Sequence, residues 1–116
     1  MRVLSRVLLI SAGVIGAAGV AAAAAASHEG SRNLSALSTI YLAHGPALLA
    51  LAFLAQGRML VGSGALLAFG TLLFGVDLTL REWLGHAVFP GAAPLGGAAM
   101  ILAWLGIAIA GAVRRR

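Results

Sequence analysis

Four apolar runs, each near the length that crosses a bilayer, take up most of this 116-residue chain. They cover residues 7–26, 36–55, 59–80 and 94–113. About 20 residues rising 1.5 Å each span a hydrocarbon core roughly 30 Å thick. Buried strands are far shorter, and none of the runs alternates with period two. In lipid every backbone group has to be paired inside its own segment, so each run is a continuous helix. Only 9% of the residues are charged and 61% are hydrophobic, whereas a soluble domain carries about a quarter charged residues. The runs therefore predict an all-α integral membrane protein. It is a single domain over residues 1–116, an antiparallel four-transmembrane-helix bundle.

The first run has a rival reading. Arg2 and Arg6, an apolar core and small residues up to Ala26 follow the order of a signal peptide cleaved after Ala26. Signal cores are usually shorter than a full span, and this one is long enough to cross, so a retained helix is expected.

Orientation follows from the arginines. With four spans, both termini and the short turn at Gln56–Arg58 share one side, which holds Arg2, Arg6, Arg58, Arg114, Arg115 and Arg116. The other side holds Arg32 and Arg81. The positive-inside rule then places both termini in the cytoplasm. Arginines at the ends of apolar runs, rather than in a patch with interleaved aromatics, argue for membrane orientation and against nucleic acid. The absence of cysteine removes disulfides, thiol nucleophiles, thiolate metal sites and covalent haem attachment.

The acids and histidines fall toward the other side. Glu29, Asp77 and Glu82 are the acids, and His28 and His86 lie in the outer connections. His44 is expected about 12 Å below the start of the second helix, and Asp77 about 5 Å from the end of the third. A polar group inside a membrane usually faces the bundle interior. His44 is either a proton carrier or metal ligand, or a neutral ring hydrogen-bonded between helices, and the second is expected because buried polar groups are normally paired. Pro46 cannot donate to the carbonyl of Leu42, so a kink and a freed carbonyl are expected there. Tyr41 shares the His44 face and is a partner for it. Asp77 and Arg81 stand one turn apart, the spacing of an ion pair. A functional carboxylate is the competing reading and gains if His44 and Asp77 meet.

His28, Glu29, Glu82 and His86 offer nitrogen and oxygen ligands that suit zinc, copper or nickel. Their spacing matches no ligand pattern, so no metal and no cofactor are expected. No phosphate loop, nucleophile elbow or paired-carboxylate arrangement is present, so the chain does not read as an enzyme.

Helices in lipid associate through small residues that let backbones approach. Gly13, Gly16 and Gly19, Gly64 and Ala68, and Gly106 and Ala110 supply them. Gly97, Ile101, Trp104, Ala108 and Gly111 share one face by their three-four spacing. Trp104, well inside its span, is expected to pack, and Trp83 to lie in the interfacial belt. The longer third connection, from Arg81 to Ala93, carries Trp83, Leu84, Val88 and Phe89 and is expected to lie along the membrane surface.

Several short patterns along nearly the whole chain resemble one family. Ala23 to His28 stand where that family has Gly-Ala-Phe-Gly-Ala-His, keeping the histidine and the small character. Ile40 to Ala47 resemble Tyr-x-x-x-His-Ala-Leu-Ala, with His44 in place and Tyr41 one position late. Leu73 to Leu78 resemble Leu-Phe-Ser-Gly-Ser-Leu, with Asp77 where a serine is usual. Ala93, Pro94, Leu95, Gly96 and Gly97 resemble Thr-Pro-Ile-Gly-Gly, and Ala103 with Trp104 resembles a later Gly-Trp pair. The chain is similar to the small bacterial membrane proteins of domain of unknown function 423, related to transmembrane protein 256 of animals. The resemblance implies four spans in a bacterial inner (cytoplasmic) membrane and implies no reaction. Pro46, Pro94, Gly96, Gly97 and Trp104 are expected to serve helix packing.

The function expected is that of a structural or accessory membrane component, embedded in the bilayer and packing against other helices. Its partners would be copies of itself or a larger membrane complex. The alternative is a small oligomeric transporter or channel using His44 and Asp77, with Tyr41, His28, Glu29 and Arg81 around them. A third reading is an outer-face metal or ligand binder.

Overall fold

The computed structural model describes residues 2–113; the arginines at 114–116 lie outside the described residues. It contains four helices: α1 (Val3–Glu29), α2 (Arg32–Leu54), α3 (Arg58–Trp83) and α4 (Ala92–Val113). All four are long and apolar enough to cross a membrane. They outrun the apolar stretches at most ends, because helical pairing continues into flanking polar residues such as Ser27 to Glu29 and Arg81 to Glu82. The one exception is Ala55, which closes α2 rather than belonging to it.

Local chemistry sets the breaks. Gly30 adopts φ 66° and donates its N–H to the carbonyl of Ala26, ending α1. A residue with a Cβ is disfavoured at that angle, which is why glycine sits there. Ser31 then accepts from the N–H of Leu34 and starts α2. Gly57, at φ 85°, opens α3. The third connection shrinks to residues 84–91, a series of bends and turns without a helix of its own. Trp83, Leu84, Val88 and Phe89 are exposed around it. Pro46 lies inside α2, which runs through it as one helix.

The helices form two antiparallel hairpins, α1–α2 and α3–α4, joined through α2 and α3. α1 also touches α3, but no Cα of α4 comes within 8 Å of α1 or α2. The bundle is therefore open on one side, with α4 held by α3. The core draws Leu8 and Ile15 from α1, Leu34 and Leu48 from α2, and Leu67 and Thr71 from α3. α1 is integral to that core.

Glycine decides where backbones meet. A Cβ on Gly45 would lie 3.2 Å from the backbone of Gly16, and one on Gly19 would lie 3.1 Å from Tyr41 and Leu42. The tightest seam joins α3 to α4. A Cβ on Gly70 would lie 2.8 Å from the Gly96 carbonyl, and one on Gly96 would lie 2.8 Å from the Gly70 carbonyl.

The face expected to pack on α4 is the wrong one. Ile101, Trp104, Ala108 and Gly111 are exposed, and a Cβ on Gly97 or Gly111 would meet nothing within 4 Å. The packed face carries Gly96, Ala99, Met100, Ala103 and Ala110, which are buried, with Gly106 against Ser63 of α3. Both faces of α4 are rich in small residues, so spacing alone does not choose between them. A Cβ on Gly13 or Gly16 likewise meets nothing, although the Gly16 backbone faces Gly45, while Gly19, Gly64, Ala68, Gly106 and Ala110 lie at contacts or are buried. Pro94 is exposed in the first turn of α4, where its missing N–H leaves no hydrogen bond unmade.

Candidate functional site

The polar residues within the spans form two separate centres. The first is His44, 7% exposed. It is the thirteenth of the 23 residues of α2, so it lies near the middle of the helix rather than in its outer half. The helix begins four residues earlier than its apolar run, and that extension sets the depth. The ring Nδ1 is 2.8 Å from the Ile40 carbonyl, which can only accept. Nδ1 therefore carries the proton, and Nε2 is left as an acceptor. The indole N–H of Trp104 donates to that Nε2 at 3.0 Å. The two rings meet edge to face, with centroids 5.7 Å apart and planes at 75°. Both ring nitrogens are thus used, and the neutral ring hydrogen-bonded between helices is the arrangement observed. Trp104 packs at its ring edge while its helix face stays open. This one side-chain bond spans the gap between α2 and α4.

His44 does not bond to the Leu42 carbonyl that Pro46 deprives of its helical donor. Tyr41 is buried on the same helix, but its phenol end points into the notch at Gly75 of α3 rather than to His44. Gly75 works there as a socket, since any side chain would occupy the space the phenol fills.

The second centre is Asp77, which has no exposure. One carboxylate oxygen accepts from Nε of Arg81 at 2.7 Å. The other accepts from the backbone N–H of Val88 at 2.8 Å. Arg81 keeps 42% of its side chain exposed, so its charge reaches out while Asp77 stays in. α3 ends at Trp83, so Asp77 lies roughly 9 Å below its end, deeper than the apolar run suggests. The ion pair matches the one-turn spacing. The Val88 bond could not be read from sequence, because it joins a helix to a bend 11 residues away.

His44 and Asp77 share no hydrogen bond, and each has its own partners. His28 and Glu29 stand exposed at the end of α1. His86 is exposed, with Nδ1 3.0 Å from the Ala87 carbonyl. Glu82 accepts from Ser31 at 2.5 Å and from Asn33 at 3.4 Å, pinning the end of α3 to the start of α2. Among the described residues no three His, Asp or Glu side chains gather as a metal site. The Ser31–Glu82 bond went unforeseen, although a serine preceding an apolar run is a legible helix start.

Two other buried hydroxyls bond within their own helices. Thr71 donates to the Leu67 carbonyl at 2.7 Å, and Ser38 to the Ser35 carbonyl at 2.9 Å. Among the described residues no buried side-chain nitrogen or oxygen lacks a partner.

Four apolar helices closed around fully paired polar side chains define a small multi-pass membrane protein. Residues 12–97 match the family described as Protein of unknown function (DUF423), and the chain belongs to that family. No curated protein and no solved structure matches it.

Proposed function

We propose that the chain is a non-catalytic accessory component of a bacterial inner membrane, with both termini cytoplasmic and its open flank available to other helices. One observation carries this reading: both titratable groups deep in the spans are consumed by internal bonds. A proton path needs groups that exchange partners along a wet route. His44 has spent both nitrogens on Ile40 and Trp104. Asp77 has spent both oxygens on Arg81 and Val88. The exposed flank of α4, with Ile101, Leu102, Leu105 and Ile109, presents apolar surface to lipid or to a further helix.

The test is reconstitution of the purified chain in proteoliposomes with a pH-sensitive dye inside. The accessory reading expects the leak of empty vesicles, unchanged by His44→Gln or Asp77→Asn. Proton flux that Asp77→Asn abolishes would instead establish the oligomeric transporter. Purification from native membranes in mild detergent, with every co-purifying chain identified, then names the partner.

A further inference from the structure

A cavity of about 610 Å³ opens at the arginine-rich end, between the start of α3 and the last turns of α4. The α3–α4 seam is shut at Gly70–Gly96 and again at Ser63–Gly106. One turn further on the helices part, because Ala110 and Gly111 offer no more than a methyl group to fill the space. Met59, Leu60 and Ile107 form apolar walls, and Arg58 stands at the mouth.

Arg58 is the first residue of α3. A cation there opposes the helix dipole, so helix stability does not explain it. It is exposed, and no carboxylate among the described residues pairs with it. Glu29, Asp77 and Glu82 all lie toward the opposite end of the molecule. The site thus combines a positive charge that no carboxylate among the described residues pairs with and apolar walls at the end of two candidate membrane spans.

The geometry points to an anionic glycerophospholipid bound in this groove, its phosphate on Arg58 and the upper part of its acyl chains against Met59, Leu60 and Ile107. Free phosphate has no use for the apolar walls. A zwitterionic headgroup brings a cationic end that no acidic side chain among the described residues of this end receives. Basic pockets between transmembrane helices hold anionic headgroups for this reason. This inference goes beyond the accessory role and does not depend on it.

Native mass spectrometry of the detergent-purified protein, offered equal phosphatidylglycerol and phosphatidylcholine, provides the test. The expected result is preferential retention of phosphatidylglycerol. Arg58→Gln should lower it roughly five-fold, the worth of one arginine near an anionic surface. Gly111→Leu fills the groove without changing charge and should lower it comparably, while Arg32→Gln at the other end should not. Equal retention of both lipids overturns the proposal. So does phosphatidylglycerol binding that survives Arg58→Gln but is lost when residues 114–116 are neutralised. Arg58 is exposed, so that variant folds and decides the matter even if Gly111→Leu does not.

Discussion

At the scale of single residues, His44 and Trp104 act as one unit, and their coupling is measurable. Trp104→Phe should remove the donor, and His44→Leu should leave the indole N–H without its acceptor. The double-mutant coupling should be about 0.6 kcal/mol and below about 1.7 kcal/mol, the range of interhelical hydrogen bonds in membranes. Reversible unfolding in mixed detergent measures it, and strict additivity would show that the bond contributes nothing. Asp77→Ala should destabilise by about 2 kcal/mol, since it orphans the Val88 N–H and unpairs the half-exposed Arg81. Amide exchange at Val88 should quicken in that variant, and unchanged protection would remove the carboxylate from its anchoring role. The Asp77–Arg81 pair was legible because both partners lie on one helix, where spacing fixes geometry. Trp104 as the partner of His44 was not, because 60 residues separate them and the rotation of one helix against another leaves no local mark. The same holds for Tyr41 and Gly75.

At the scale of elements, α3 and α4 are joined backbone to backbone. Gly70→Ala or Gly96→Ala should force them apart and destabilise by about 1–3 kcal/mol, the usual consequence of overpacking. The neighbours of the new methyl group are carbonyl and amide atoms, which cannot swing aside. Gly13→Ala, where a Cβ meets nothing, should be neutral or slightly stabilising. Equal effects at Gly13 and Gly70 would contradict the seam. The four helices themselves were legible to within a few residues, since length and hydropathy alone demand them. Their ends ran further, because a helix continues as long as its flanking residues tolerate it. The packed face of α4 was illegible because small residues line both Gly96–Ala103–Ala110 and Gly97–Ala108–Gly111.

At the scale of the whole molecule, the proposed orientation rests on the arginine asymmetry. The chain has no cysteine, so single replacements report cleanly. Ser27→Cys should react with an impermeant thiol reagent in intact cells, and Gln56→Cys only after the membrane is opened. The reverse pattern would invert the proposed topology. The Asp77–Arg81 bond described above also bears on how the chain enters the bilayer. It closes within one turn of α3, so it needs no other helix to be present. The Asp77–Arg81 pair can therefore be handed across the membrane as a locally neutral unit, before α4 has been synthesised. The Val88 bond forms only once the connection has emerged on the other side. Asp77→Asn should leave Arg81 to cross without its hydrogen-bonded partner, and glycosylation reporters placed after Trp83 should show slower or incomplete translocation. The same aspartate that anchors the finished fold would then have served first as the travelling counterion of an arginine.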